Sequence, residues 1–300
     1  MSLPFRLTAA ATIVGTTILG AMACAKSDHA TTDSTSTTTS TTTSTSTTTT
    51  SSSSPNTVTI TAKEYAFDAP SQVPAGVTTI HLVNQGQQLH HVQILKFEQG
   101  KTLADFQAAM KAGGPFPAWA VMVGGPNAPA PHGGESNATL NLAPGQYAFA
   151  CFVDIPDHMP HIMKGMVQPF TVTPATGAPA AEPTADVSVT LSDYNFALSK
   201  PLTAGSHTIR VENTADQPHE IELVQLDSGK TADDVLKWIA DPKGPPPGRP
   251  LGGIAGLSKG THGYFTADLV KGNYALLCFL PDMKDGKPHF MHGMKQEFTI

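Results

Sequence analysis

The sequence is poor in cysteine, in charge and in aromatic side chains: three cysteines in 300 residues, 14% Asp, Glu, Lys and Arg, and 7% Phe, Trp and Tyr. Three thiols cannot build a disulfide framework, so stability must come from a buried core. No lysine or arginine run occurs and the net charge is −6. That excludes nucleic acid as a partner class, because phosphate binding needs a clustered basic face. Also missing are Gly-x-Ser-x-Gly, His-Glu-x-x-His and any glycine-rich phosphate loop, which removes the common hydrolase and nucleotide-binding signatures. What is abundant is turn-forming residue, 26 Gly and 25 Pro, and this favours β architecture over helix bundles.

Residues 7–23 are apolar, follow a single cation at Arg6, and end in Ala21-Met22-Ala23 directly before Cys24. This is the layout of a bacterial export signal (residues 1–23) rather than of a spanning helix. Ala21-Met22-Ala23 fits ordinary cleavage. A cysteine at the first mature position instead resembles a lipoprotein site, with Cys24 carrying the lipid, although Leu19 lies two positions too early. The lipoprotein is the preferred expectation, because residues 24–56 look like a tether. From 31 to 54 every residue except Asp33 is Ser or Thr, a composition with almost nothing to bury. As a flexible chain it spans roughly 25–30 Å. The expected location is the cell envelope outside the cytoplasm, periplasmic or surface, with the membrane reached through the lipid.

From residue 57 onward the sequence repeats itself. One copy spans 57–173, the other 186–300, and a Pro/Ala segment, 174–185, links them. Each copy has a Tyr-x-Phe strand (Tyr65-Ala-Phe67, Tyr194-Asn-Phe196) and an Ala-Gly turn (Ala75-Gly76, Ala204-Gly205). An alternating strand follows (78–84, 207–213), then a polar turn ending in His90 or His219. Each copy then carries one helix, opened by Thr102 or Thr231 three residues before Asp105 or Asp234, the spacing of a capping box. Short strands with regular turn signals predict a sandwich in each copy. The expected fold class is all-β: two tandem Greek-key β-sandwiches, each with one inserted helix, after a disordered amino-terminal region.

Each copy places one cysteine at a strand end, Cys151 and Cys278. A Pro-His-x-x-x-Gly-Met segment follows, supplying His161 and Met166 in the first copy and His289 and Met294 in the second. With His90 and His219 upstream, each copy offers two imidazoles, a thiol and a thioether. A trigonal His2Cys set with a weak axial methionine is the arrangement that holds blue copper. Thiolate and thioether suit Cu(I), and imidazole suits both oxidation states.

In the Tyr-x-Phe strand, the Asn-to-His turn (Asn84 to His90, Asn213 to His219), the Tyr-x-x-x-Cys strand (Tyr147 to Cys151, Tyr274 to Cys278) and the Pro-His…Gly-Met loop, the sequence resembles the cupredoxins of the plastocyanin and pseudoazurin type. The likeness covers nearly all of residues 57–300. It implies copper near one end of each sandwich, held by His90, Cys151, His161 and Met166 in the first and by His219, Cys278, His289 and Met294 in the second. It also implies an electron-transfer or copper-carrying role, with a redox partner protein or a copper donor or acceptor. One departure stands out: nine residues separate Cys151 from His161, and ten separate Cys278 from His289. Small blue-copper proteins have only a few. Either a small hairpin returns each histidine to its cysteine, or His and Met stay outside bonding distance. The second case describes a metal-free surface interaction module with His161 and His289 turned to solvent.

Further soft donors crowd the same loops: His158, Met159 and Met163 near His161, and Met283, Met291 and His292 near His289. Six of the ten methionines fall there, a density that favours copper handling. Two-domain copper oxidases and nitrite reductases need extra histidines for a second copper centre. No His-x-His pair occurs and no histidine flanks either cysteine, so the chain is expected not to be an enzyme. Tyr65, Phe67, Tyr147, Tyr194, Phe196 and Tyr274 are expected in the core. His29, His81, His132, His207 and His262 show no partner in the pattern.

Overall fold

The computed structural model describes residues 54–154 and 159–300. The export segment, Cys24, most of the Ser/Thr tether and His158 lie outside the described residues. In the first half, β1 (Asn56–Lys63), β2 (Ala66–Asp68), β3 (Gln72–Pro74), β4 (Gly76–Asn84) and β5 (Gln93–Phe97) precede helix α1 (Leu103–Lys111). Then come β6 (Ala120–Met122), β7 (Gly134–Leu142), β8 (Gly145–Ala150) and β9 (Val167–Thr173). The second half holds β10 (Val187–Ser192), β11 (Asn195–Leu198), β12 (Gly205–Asn213), β13 (His219–Leu226) and α2 (Ala232–Ala240). It ends with β14 (Gly248–Leu257), β15 (His262–Leu269), β16 (Asn273–Leu277) and β17 (Lys295–Thr299).

The strands form because their apolar residues alternate. In β1, Val58, Ile60 and Ala62 point inward while their neighbours face out, the period of a half-buried strand. Strands β2-β1-β4-β7 make one sheet of the first half and β3-β9-β8-β5-β6 the other. The second half repeats this with β11-β10-β12-β15 and β14-β13-β16-β17. Each half is therefore a two-sheet, cupredoxin-like Greek-key sandwich. Ile60, Leu82, Ile94, Tyr147, Phe149 and Phe170 fill the first core, and Leu191, Val211, Leu223, Phe265, Tyr274 and Leu276 fill the second. Tyr147 and Tyr274 each donate a hydrogen bond to a backbone carbonyl four residues upstream, Ala143 and Val270, at 2.7 and 2.8 Å.

The helices begin where the Thr-to-Asp spacing places them. Thr102 and Thr231 accept from the amides of Asp105 and Asp234, whose carboxylates accept in return from the threonine amides. Helix α1 seats Phe106 against Leu95, Phe97 and Ala148, on the face of the second sheet away from the main core. Helix α2 does the same with Val235 against Val224 and Ala275.

The two halves lie within one compact unit spanning 50–300. Strands β7 and β15 meet at Thr139 and Tyr264 and join two four-stranded sheets into one of eight. Nearby, the segment 123–129 runs antiparallel to β14, with Pro126 opposite Ile254. Pro126 follows Gly124-Gly125 and Ile254 follows Gly252-Gly253, so each is the other's counterpart in the repeat. A local two-fold therefore relates the halves at this point. The Pro/Ala segment is not free of the fold, because the Glu182 carboxylate accepts from Tyr264 Oη at 2.9 Å.

Three elements differ from expectation. Tyr65 and Tyr194 stand in the tight turns before β2 and β11, not in strands, with φ of 59° and 61°. They are half-buried, as is Phe67, whereas Tyr147, Phe196 and Tyr274 are fully in the core. His81, His207 and His262 do have partners, in Glu135, Asp186 and Glu182.

Candidate metal centre

The turn that carries the first histidine is tied by asparagine. Asn84 accepts from the Gly86 amide and donates to Gln88 O. Asn213 accepts from the Ala215 amide and donates to Gln217 O in the same way. The cysteine sits at the end of the β8 or β16 strand. The long insertion after it folds back, bridging Asp154 to Pro160 in one half and Pro281 to Pro288 in the other. A 3-10 turn follows, His161–Lys164 or His289–His292. Backbone bonds then lock the return: Ile162 donates to Cys151 O, Cys151 to Met166 O and Met166 to His161 O, and Phe290, Cys278 and Met294 repeat the pattern. Both loop histidines therefore return to their cysteines, and both are buried rather than turned to solvent.

His90, Cys151 and His161 thus come together, as do His219, Cys278 and His289, each set with one ligand atom per residue within 4.8 Å of the others. In the first half Nδ1 of His90 lies 3.0 Å from Nδ1 of His161, which is 3.4 Å from Cys151 Sγ. In the second, Cys278 Sγ lies 3.3 Å from His289 Nδ1 and 4.0 Å from His219 Nδ1. The imidazole rings cross at 48° in both, with centroids 4.7 and 4.5 Å apart. Met166 and Met294 are fully buried in the same clusters as the cysteines. Two donors on one ion at about 2.0–2.3 Å sit roughly 3–4 Å apart, so both sets have metal-site dimensions.

The proton bookkeeping favours a cation. If His90 carries its proton on Nδ1 and donates to His161, its buried Nε2, which has no hydrogen-bond partner, presents a lone pair to the Glu64 carboxylate 3.9 Å away. If the proton sits on Nε2, and His161 donates its own Nε2 proton to Gln88 Oε1, two Nδ1 lone pairs face each other at 3.0 Å. An ion between the three donors removes either conflict. In the second half His289 Nε2 is likewise buried without a partner, 4.0 Å from Asp282. Burial lowers the pKa values of His90 and His219, against the opposing pull of Glu64 and Asp193. Burial, then the neighbouring His219, brings His289 down to about 4. These imidazoles are neutral at pH 7, as metal ligands must be. Burial pushes the Cys151 thiol up to about 12 and Cys278 well above its ordinary range, so an arriving ion must displace the thiol proton.

Outer groups hold the rings. Asp193 Oδ1 accepts from His219 Nε2 at 3.0 Å, and Gln88 Oε1 lies 3.0 Å from His161 Nε2. Such partners fix which ring nitrogen faces the ion. Tyr65 and Tyr194 stand edge-on to His161 and His289, with centroids 5.3 and 5.6 Å away. A tyrosine with positive φ is uncommon, and here it occurs twice, at the same place beside the site. The carboxylates were missed in the sequence reading. Their signal was an acidic residue directly before each Tyr-x-Phe, Glu64 and Asp193.

The third donor cluster, Asp282, Asp285 and His292, belongs to the loop turn: Asp282 accepts from the amides of Lys284 and Asp285 and from Tyr194 Oη. Met159, Met163, Met283 and Met291 are exposed on the same loops.

No protein-family model matches the chain, and no curated protein matches it in sequence. Solved structures do. The reduced auracyanin of the photosynthetic bacterium Roseiflexus castenholzii is 27% identical over 41% of this chain and all of its own, with a TM-score of 0.29. Auracyanin A of Chloroflexus aurantiacus, described as a "blue" copper protein, is 23% identical over 40% of this chain and 99% of its own, with a TM-score of 0.27. A blue copper oxidase from Nitrosomonas europaea covers 81% of this chain and 85% of its own at 14% identity, with a TM-score of 0.26. A nitrite reductase from Thermus scotoductus and a laccase from Botrytis aclada also match, at 12% and 8% identity. One expectation is corrected by these matches. Oxidases and a reductase are among the chains this one is similar to, so the lack of a His-x-His pair does not make it a non-enzyme.

Proposed function

We propose that the chain is an exported copper protein with a thiolate-bound copper in each half, and that it transfers single electrons. The observation that carries this is the duplicated convergence of Nδ1, Sγ and Nδ1 in two buried pockets, each with a buried methionine alongside. His90, Cys151, His161 and Met166 would hold one ion, and His219, Cys278, His289 and Met294 the other. Copper in such a set supplies one-electron chemistry between Cu(I) and Cu(II). The protein's part is rigidity: the locked Cys-to-His return and the outer carboxylates hold the donors in one geometry for both states. The apolar stretch before Cys24 supports export and lipid attachment, and the Ser/Thr tether supports reach toward a redox partner protein.

Copper carriage is a second reading with its own observation. Of the six exposed large apolar residues among the described ones, four are methionines, two between cysteine and histidine and two in the 3-10 turns that follow, and thioethers favour Cu(I). The test is titration of the full chain with Cu(II). Electron transfer predicts an intense visible thiolate-to-copper band that saturates at two equivalents. A colourless protein that still competes for Cu(I) would replace it with carriage.

A further inference from the structure

The residue after each first histidine does the same work in both halves with different chemistry. His91 Nε2 accepts from the Phe152 amide at 2.8 Å, and Glu220 Oε1 accepts from the Phe279 amide at 3.0 Å. Phe152 and Phe279 directly follow the two cysteines. Because His91 Nε2 is an acceptor, its proton lies on Nδ1, which donates to Asn127 Oδ1 at 3.3 Å. The other end of that amide, Nδ2, donates to Glu220 Oε2 at 3.4 Å and to Ile221 O at 3.0 Å. A continuous line therefore runs from Cys151 through Phe152, His91, Asn127, Glu220 and Phe279 to Cys278. His91, Asn127 and Glu220 are all buried.

The chemistry of the line matches its place. Asn127 is one residue from Pro126, which meets its repeat counterpart Ile254 at the local two-fold. A single asparagine there has one acceptor and one donor end. His91 of the first half supplies a donor to Oδ1 and Glu220 of the second an acceptor for Nδ2, beside the Ala128 amide on Oδ1 and Ile221 O on Nδ2. The repeat has diverged at this position, to His91 on one side and Glu220 on the other.

We propose that His91, Asn127 and Glu220 form a bridge through which the two thiolate centres share electrons within one chain. This rests on the copper reading above. In the step one electron leaves the reduced half and enters the oxidised half. No proton or atom is transferred, and no outside oxidant or reductant is consumed.

The test uses the full chain with two equivalents of copper, given a one-electron reducing pulse in less than stoichiometric amount. Cys151→Ser and Cys278→Ser chains identify each centre by its potential and paramagnetic spectrum. Sharing predicts a relaxation between the two centres whose rate is independent of protein concentration. Asn127→Leu, of similar volume but unable to bond, should lose that phase while both visible bands and potentials stay in place. An unchanged phase in Asn127→Leu, or a rate proportional to concentration, overturns the bridge. A second measurement needs no variant at Asn127. In the Cys151→Ser chain, Cu(I) added to the second half should move the amide resonance of Phe152 and the ring N–H resonance of His91, and unmoved signals overturn the proposal. Absence of the thiolate band before the pulse would instead sink the copper reading itself.

Discussion

His90 and His161, 71 positions apart in the chain, bring their Nδ1 atoms to 3.0 Å of each other inside a pocket sealed from solvent. His219 and His289 repeat the same ring crossing in the second half. With His161 Nε2 donating to Gln88 Oε1 at 3.0 Å, that approach leaves a lone pair or a ring nitrogen of His90 unmatched. A cation held between the three donors of the first half relieves that conflict.

The outer carboxylate of the second half should set metal affinity there. Asp193→Ala removes the acceptor 3.0 Å from His219 Nε2. It should weaken copper binding at that half by about 10–100-fold, the usual effect of losing such a partner. Measured in the Cys151→Ser background by Cu(I) competition, an unchanged affinity would contradict the assigned role.

The metal-free protein should lose stability in acid and in strong base. Burial brings His91 and His289 down to about 4, from an ordinary value of 6.5. Their contribution is present above pH 6.5. It is lost as the pH falls toward about 4, because only the unfolded chain takes up those protons in that window. Cys151 stays protonated up to about 12 when folded, against 9.0 when free. Stability should therefore also fall as the pH rises from about 9 toward 12. Burial raises Glu220 to about 7, which acts with the opposite sign over the same window, so the first limb is read as the difference in denaturant midpoint between the parent and His289→Gln, and a difference that does not change with pH between 4 and 6.5 would refute it.

Two glycines beside the join allow a close backbone approach within each half. A Cβ on Gly125 would stand 1.8 Å from Val92 O, and one on Gly253 would stand 2.1 Å from Ile221 O, with φ of 137° and 141°. Val92 and Ile221 directly follow His91 and Glu220. Gly125→Ala or Gly253→Ala should cost at least ~3 kcal/mol in urea unfolding, combining backbone strain with overlap. A wild-type midpoint would show that approach to be soft.

The helices should be separable from the site. Thr231→Ala removes the cap that accepts from the Asp234 amide, at a cost of about 1 kcal/mol, and should leave the copper spectrum unchanged. A spectral shift would mean that α2 bears on the centre.

Which parts of this were legible in the sequence follows the range of the interactions. The repeat, the capping boxes at Thr102 and Thr231 and the two His-Cys-His groups could be read because each is a short pattern that occurs twice. The Cys-to-His insertions were ambiguous, since a hairpin's return depends on pairs such as Pro281 with Pro288 that no local pattern announces. The Asn127 bridge and the pairing of Thr139 with Tyr264 could not be read at all. They lie on a two-fold between halves, and a repeat shows that its copies are alike without showing how they face each other. Tyr-x-Phe alternates like a strand, whereas Tyr65 and Tyr194 stand in left-handed turns edge-on to His161 and His289.

The most direct test of the account is the visible and paramagnetic spectrum of the full chain with two equivalents of Cu(II), beside Cys151→Ser and Cys278→Ser. The account predicts an intense thiolate band in the parent, a single surviving centre in each variant, and none in the double variant. A parent without the band, or a band that survives loss of both cysteines, would contradict thiolate-bound copper in this fold.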